Sequence, residues 1–562
     1  MENYQIADNF SLLSKLMDIH GANSFRAKSL SIAAFAIEQL QVSLADLPKE
    51  KIFSLKNIGE STGKKIIEQI ETGRLAELDN IVEKTPAGIL EMLRIKGIGP
   101  KKIAVIWKEM EIETLGELLY ACNENRLSRY KGFGLKTQET VRQNIEFYLN
   151  SQGRYLYAQI EGFQKSLVEN LPKAFQGEIF LITGEFRRQL EIIDKLEFVT
   201  TIGAEKLQRF FAAEQSEQTA LTHQYSSYKT KENVELKFYH VSGEELYKTL
   251  FNTSCTEDFL KEWRIHFSAS KENYGSEEEI FRDANIGYIP PFFRESADSI
   301  LKAKRNNLPL FIEEADIKAI IHSHSTWSDG SQSIKDMAKQ AKARGYEYMV
   351  ISDHSKSAYY AGGLSEEKIM AQHEEIQELN QQLAPFKIFK GIESDILNDG
   401  NLDYSPAVLS TFDLVIASVH SNLKMSEEKA MSRLLKAIEN PYTSILGHMT
   451  GRLLLSRSGY PVNYKTIIEA CAANNVVIEL NAHPRRLDMD WRWIGYALDK
   501  GVLVSIDPDA HSVEEYVNLR YGVLAGQKGG LTAQQNLSSF PLPQFEQFIS
   551  IQHSKRPGAS FS

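Results

Sequence analysis

From about residue 316 onward one pattern recurs along the chain: a short apolar or β-branched run, then a polar, ligand-type residue directly after it. IKAIIHSHS delivers His322 and His324, with Asp329 following in WSDG; YEYMVISDH delivers Asp353 and His354, and FKIFKGIES delivers Glu393. DLVIASVHS ends on His420, YTSILGHMT carries His448, VVIELNAH carries Glu479 and His483, and VLVSIDPDAH ends on Asp509 and His511. Stretches such as IKDMAKQAKARG and SEEKAMSRLLKAIEN, apolar at helical spacing, lie between these runs. Alternation of strand and helix predicts parallel strands in βα units. About seven such units predict a barrel related to the eightfold one, in which the loops after the strands share one mouth. Ligand-type residues at strand ends then converge there, far apart though they are in sequence.

The first 150 residues have a different pattern. NFSLLSKLMDIHG and FRAKSLSIAAFAIEQL have helical spacing throughout. IKGIGPKKIAVIWKEM sets Gly97 and Gly99 before a helix that begins near Pro100 and carries Lys101 and Lys102. RYKGFGLKTQETVRQNI repeats the device with Gly132, Gly134 and Lys136, and LKNIGESTGKKIIEQI is a weaker copy around Gly59. Glycines let backbone amides approach a phosphate at a helix N-terminus, and the lysines add charge.

Composition narrows the setting. A chain of 562 residues exceeds one hydrophobic core and predicts several domains. With 42% hydrophobic and 25% charged residues it has an ordinary globular balance. The net charge of −10 excludes a generally basic coat but not a local basic footprint for DNA. Cys122, Cys255 and Cys471 show no paired spacing, which fits a reducing cytoplasm and excludes a cysteine zinc site. MENYQIADNF lacks signal-peptide features and no apolar run reaches spanning length, so a cytoplasmic protein without membrane contact is expected. Nine of the 13 histidines lie beyond position 320. Imidazoles and carboxylates without thiolate suit Zn²⁺, Fe²⁺ or Mn²⁺, and several such ions together suit phosphoester hydrolysis.

HSHSTWSDG, SDHS, GIESDIL, ASVHS, LGHMTGRLL and DPDAHS resemble, in order, the signatures of the polymerase and histidinol phosphatase (PHP) domain. That resemblance implies three divalent metals: one on His322, His324, Glu393 and Asp509; one on Asp329, His354 and His511; one on His420 and His448 with Glu393 as a bridge. Mn²⁺ is the expected functional ion, with Zn²⁺ or Fe²⁺ as alternatives. Asp353, supporting the ligands from behind, and Arg452 are the candidate catalytic residues outside the ligand set. Glu479 and His483 are expected to be structural or to face the substrate.

The glycine-lysine elements resemble helix-hairpin-helix motifs. Their order, followed by EIFLITGEFRRQLEIIDKLEFV, NVELKFYHVSGEELYKTLFNTS and GYIPPFFRESADSI, resembles a bacterial family X DNA polymerase over nearly the whole chain. The implied architecture is a lyase-like helical domain (1–75), helix-hairpin-helix fingers (76–150), an α+β nucleotidyltransferase-like palm (151–245), a thumb and linker (246–315), an α/β distorted (βα)7 PHP barrel (316–550) and a tail (551–562). Gly184, Arg187 and Arg188 match the palm motif, but Glu185 stands at its serine, and Lys195, Glu197 and Glu235 stand at its three catalytic aspartates. A register that uses Asp194 breaks the one-residue spacing to Glu197. Leu250-Phe251-Asn252-Thr253-Ser254 lacks the glycine of the family's thumb hinge. A lysine offers Mg²⁺ only donors, so palm Mg²⁺ and nucleotidyl transfer are not expected. Lys65, with Lys64 beside it, falls at the family's lyase lysine. The implied function is metal-dependent, 3′-to-5′ DNA phosphodiester hydrolysis in repair, with abasic sites and 3′ ends as related targets. Gapped, nicked or 3′-ended DNA would be bound without sequence preference by a monomer. The alternatives are an active gap-filling polymerase with an editing nuclease, a small-molecule phosphatase, or a non-catalytic DNA scaffold.

Overall fold

The computed structural model describes residues 1–40, 42–123, 127, 130–151, 153–268, 270–423, 425–455 and 458–557. The chain forms two compact units, Met1–Gln152 and Gly153–Ser562.

The first unit is helical, around a core that includes Phe10, Leu13, Leu16, Ile66, Ile103, Ile106 and Val141. Three of its turns share one geometry. Gly97 (φ 91°) and Gly132 (φ 93°) adopt left-handed backbone, which a glycine enters without steric cost. The next residue, Ile98 or Phe133, is buried as an anchor, and the helices Pro100–Lys108 and Leu135–Ser151 follow. The weak third copy does the same with Asn57 (φ 67°) in place of the first glycine, then buried Ile58 and the helix Glu60–Thr72. Asparagine is the side chain that best tolerates this conformation, which is why a glycine-based pattern fades there.

The second unit holds a two-stranded pair, Tyr155–Leu156 with Ile192–Ile193, two larger sheets and a helical segment between those two. In the five-stranded sheet the neighbours run Phe180–Thr183, Lys195–Thr200, Glu235–His240, Tyr225–Lys229, Glu217–Leu221. Only Lys195–Thr200 and Glu235–His240 pair in parallel, in the register Lys195↔Glu235 and Glu197↔Lys237. Phe198, Phe211, Tyr228 and Phe238 pack as an aromatic core on one side of it. The helices Leu246–Thr253, Glu257–His266, Glu277–Asp283 and Ala297–Lys304 follow. Among them Arg294 is fully buried, donating to Glu277 (2.7 Å) and to the Ile289 carbonyl (2.7 Å).

The C-terminal sheet has seven parallel strands in sequence order: Ala319–Ile320, Tyr348–Ile351, Lys387–Asp395, Leu414–Ser418, Ile445–Leu446, Val477–Asn481 and Val504–Asp507. A parallel bridge between Ser323 and Ala510 joins the last strand back to the first and closes the barrel. Tyr348, Phe389, Leu414, Ile445 and Val477 form a buried cluster with Phe545 and Phe548 of the helix Leu542–Ser554. The strands thus begin at an aromatic plug, and their other ends are left for chemistry. This helix corrects the boundary expected at 550/551. It runs on past 550, and Gln552 and Arg556 fasten it through the Asn475 and Phe412 carbonyls. Residues 558–562 of the expected tail lie outside the described residues.

Candidate metal centre

All nine ligand-type positions singled out by the sequence fall at or just beyond the C-terminal ends of barrel strands, or in the loops that follow. Two of them, His322 (φ 61°) and Asp509 (φ 50°), hold left-handed backbone, a strain that persists only where surrounding contacts enforce it. The bridge Ser323–Ala510 lies between them and supplies that enforcement. In the first loop Gly330 is required by space, since a Cβ there would lie 2.0 Å from the His324 carbonyl oxygen.

The side chains converge in three overlapping groups: His322, His324 and Asp509; His324, Asp329, His354 and His511; His354, Glu393 and His420. His322 Nε2 lies 3.3 Å from Glu393 Oε1 and 3.4 Å from Asp509 Oδ1, and His324 Nε2 lies 3.2 Å from Asp509 Oδ1. Asp329 lies 3.5 Å from both His354 Nε2 and His511 Nε2. His420 and His448 set Nε2 at 3.1 and 3.0 Å from Glu393 Oε1. Bonds of about 2.0–2.1 Å to one ion place its ligand atoms roughly 3–3.5 Å apart, so these spacings match shared coordination spheres. Buried His322 Nε2 and His324 Nδ1 lack hydrogen-bond partners, which is what an ion would remedy. The residues present therefore fit divalent metals.

The electrostatics agree. Burial alone would push the imidazoles down, yet Glu393 overrides it and holds His354 at about 10 and His420 at about 9. Burial and the neighbouring His354 instead depress His324 to about 3, leaving a neutral imidazole. Despite burial, the surrounding histidines hold Glu393 and Asp509 well below the usual carboxylate range. The cluster thus stabilises positive charge on whatever occupies it.

Carboxylates behind the ligands fix their orientation. His322 Nδ1 donates to Glu479, whose second oxygen accepts the His448 backbone N–H (2.6 Å), and His420 Nδ1 donates to Asp395. Each leaves Nε2 facing the cluster. Glu479 is therefore an orienting carboxylate, and Asp395, which sequence reasoning missed, is its counterpart. Asn481 donates to Asp509 Oδ2 (3.1 Å), and Arg486 Nε lies 3.6 Å from the same oxygen. His483 is half-buried outside the three groups, its Nδ1 accepting the Arg485 N–H.

Neither candidate catalytic residue is open to substrate. Asp353 accepts from Ser325 N (2.8 Å), Ser325 Oγ (2.7 Å), Ser328 Oγ (2.5 Å) and Gln372 Nε2 (2.7 Å), and burial raises its carboxyl. Arg452 donates to Asp490 Oδ2 (2.8 Å), to the Arg486 carbonyl (3.0 Å) and to the Leu487 carbonyl. Both brace ligand-bearing loops through these contacts.

The five-stranded sheet presents a contrasting face. Lys195, Glu197, Glu235 and Lys237 share one side by register. Glu197 accepts from Tyr239 (2.9 Å) and lies 3.9 Å from Lys195 Nζ, and Glu235 accepts from Thr219 (2.6 Å). Glu185 accepts the Asp194 N–H (2.8 Å), and Asp194 itself pairs outward with Arg154 (2.7 Å). Gly184 is pressed against Glu197, whose Oε2 would lie 2.0 Å from an added Cβ. Arg187 forms a two-point pair with Glu277 (2.9 and 2.7 Å), and Arg188 pairs with Glu295 (3.0 Å).

In the helical unit Lys101 and Lys136 are exposed beside their hairpins, with Gly97, Gly99, Gly132 and Gly134 at the surface. Lys102 instead reaches the Gly97 carbonyl (3.4 Å) and lies over the Phe133 ring (5.5 Å), bridging two hairpins. Lys65 pairs with Glu77 (2.9 Å), and Lys64 pairs with Glu60 (2.7 Å). Adjacent helical residues do not face each other, so Lys64 is not the cation beside Lys65.

The comparisons fall on these same regions. Models of a helix-hairpin-helix domain and of a SAM-like helix-hairpin-helix tandem match residues 1–75 and 89–144, and a PHP domain model matches 321–483. DNA polymerase/3′-5′ exonuclease PolX of Bacillus subtilis is 31% identical over 554 residues, covering 95% of this chain and 96% of that protein. A probable phosphatase of Caldanaerobacter subterraneus subsp. tengcongensis is 28% identical over 207 residues, 34% of this chain and 74% of its own length. Probable phosphatase YcdX of Escherichia coli is 27% identical over 207 residues, 34% of this chain and 78% of that protein. Among the described residues no helix is long and apolar enough to cross a membrane.

Proposed function

This chain belongs to the bacterial PolX family, the family X DNA polymerases with a C-terminal PHP domain, and on that premise we propose that it is a DNA phosphodiesterase of the 3′-to-5′ type. Its work would be the processing of 3′ ends and abasic sites in cytoplasmic DNA repair. The observation that carries the reading is the convergence of six histidines and three carboxylates at ligand spacing on one barrel mouth.

His322, His324, Glu393 and Asp509 would hold one ion, Asp329, His354 and His511 a second, and His420 and His448 with Glu393 a third. Bound divalent ions, with Mn²⁺ proposed and Zn²⁺ or Fe²⁺ as alternatives, supply charge to the phosphoryl oxygens and an activated water. Glu479 and Asp395 hold the imidazoles in the ligating tautomer. Asp353 ties the loop of Ser325 and Ser328 to the helix carrying Gln372, keeping Asp329 in place. The exposed Lys101 and Lys136 beside their hairpin glycines would grip phosphates of gapped, nicked or 3′-ended DNA without reading bases. In the five-stranded palm, two lysines and engaged glutamates leave no anchor for paired Mg²⁺, so nucleotidyl transfer is proposed to be lost.

Digestion of 3′-labelled DNA with Mn²⁺ tests this. The wild type is expected to shorten the strand, and His322→Ala to lose activity by more than the roughly hundredfold that removing an outer partner of a ligand costs. Equal digestion by the variant would place the activity elsewhere. The match of the barrel alone to probable phosphatases supports a second reading, hydrolysis of small phosphomonoesters. Turnover of p-nitrophenyl phosphate without turnover of DNA would select it.

A further inference from the structure

The geometry points to Glu191 of the palm as a positioning residue for the phosphoesterase centre of the barrel. Glu191 lies just before the strand Ile192–Ile193, and its side chain is 10% exposed. Both carboxylate oxygens reach into the barrel: Oε2 accepts from Trp491 Nε1 (2.9 Å) and Oε1 from Arg492 NH1 (3.0 Å). Burial would raise this carboxyl, but Arg492 outweighs it and holds the group ionised.

The two donors sit directly after Asp490, and Asp490 is shared. One guanidinium on it is Arg492 (2.9 Å), the other Arg452 (2.8 Å). Arg452 in turn grips the Arg486 and Leu487 carbonyls, and its own N–H leads back through Thr450 Oγ1 (3.4 Å) towards His448. Thr450 is pinned to Asp488 by N–H (3.0 Å) and hydroxyl (2.9 Å). The same 481–490 segment meets Asp509 at its start through Asn481 (3.1 Å) and midway through Arg486 (3.6 Å). A chain of charge-assisted contacts therefore runs from the palm to the loops that carry His448 and touch Asp509.

Glu191 keeps Arg492 from drawing Asp490 away from Arg452. Without it, one carboxylate serves two guanidiniums alone, and the indole N–H of Trp491 is left without its acceptor. Lys528 lies over the Trp491 ring (4.4 Å) and donates to the Arg188 carbonyl (2.7 Å), so this junction is built from both sides. A palm with a poor metal face is on this view still part of the hydrolytic machinery.

The inference rests on the phosphodiesterase reading, and its test separates the two. Full-length wild type, Glu191→Ala, Glu191→Gln and Glu161→Ala are compared. Glu161 makes a second palm–barrel contact, to Arg520 and Tyr521 (3.4 Å), that does not lead to the ligand loops. Three measurements are taken: amide exchange of residues 448–453 and 485–490, titration of metal-stripped protein with Mn²⁺ alone, and kcat and KM on 3′-labelled DNA. For Glu191→Ala, exchange in both segments should quicken, Mn²⁺ affinity and kcat should each fall about tenfold, and KM should hold. Glu191→Gln, which keeps an acceptor for Trp491, should recover part of each loss, and Glu161→Ala should match wild type. Unchanged exchange and Mn²⁺ affinity in folded Glu191→Ala, or the same changes in Glu161→Ala, would overturn it. A wild type inert on DNA would sink the functional reading alone, since exchange and Mn²⁺ binding still decide this one.

Discussion

Palm and barrel both place their chemistry with parallel strands, the palm on the strands themselves and the barrel mostly just beyond their ends, yet the two faces are furnished in opposite ways. On the barrel every expected ligand position holds an imidazole or carboxylate, and His322 and His420 are each backed by a further carboxylate. On the palm, ammonium groups of Lys195 and Lys237 share a face with Glu197, which Tyr239 occupies, and Glu235, which Thr219 occupies. The two palm arginines that match the family motif have their partners outside the palm. Arg187 meets Glu277, and Arg188 meets Glu295, which Lys528 of the barrel also holds (2.9 Å). Architecture and reaction chemistry thus rest on different side chains of one domain, which is why a fold is weak evidence for an activity.

The largest expected effect probes the architectural half of that contrast. Burial alone would raise Glu277, but hydrogen bonds from Arg187 and Arg294 hold it at about 2. An unfolded glutamate titrates near about 4.3, so the pair's contribution is complete above that pH and is lost as pH falls towards 2. The gap of about two units corresponds to about 3 kcal/mol. Glu277→Gln should cost that much at neutral pH, because it also strands the buried Arg294 charge, and should flatten the acid limb of the stability curve. Urea unfolding across pH 2–6 checks both; an unchanged acid limb would remove the arginines from the architecture.

Metal removal probes the other half, and for each ion lost the effect is slightly smaller. An ion present at a hundred times its Kd stabilises the state that binds it by about 2.7 kcal/mol. Chelation should lower the melting temperature of Gly153–Ser562 and leave Met1–Gln152 unmoved, as read by calorimetry of the full chain. A drop shared by both units would argue against a centre confined to the barrel.

Much of this was legible in the sequence, for a physical reason. A ligand at a strand end comes with a short apolar run, so His322, Glu393 and Asp509 announce themselves by position. An orienting carboxylate obeys no such spacing: Asp395 serves His420 across 25 residues and Glu479 serves His322 across 157. Arg452 stood in a signature, but only its partners reveal a brace. Asn57 weakened the signal of the third hairpin because the turn needs a conformation and not a particular side chain. Only the last turn of the closing helix was counted with the tail, because the contacts that fasten it, from Gln552 and Arg556 to the Asn475 and Phe412 carbonyls, are far apart in sequence. Asp395→Asn isolates the missed class of residue. It should weaken Mn²⁺ binding about tenfold, with the fold intact by circular dichroism; an affinity equal to wild type would make Asp395 incidental.

The smallest expected effect is the one that sharpens the contrast most. Lys195→Asp restores a carboxylate at the position whose lysine most plainly opposes Mg²⁺, yet gapped-primer extension should stay at the wild-type background. Lys237 would still share the face, Glu197 would still be held by Tyr239, and Glu235 would still be turned to Thr219. Adding Tyr239→Phe releases Glu197 but leaves the glutamates one methylene longer than the aspartates of the family pattern, so extension should remain absent with Mg²⁺. Synthesis from Lys195→Asp alone would mean that one ammonium separates this palm from a working one. The engaged glutamates would then be poised ligands, and the difference between the two faces would reduce to a single side chain.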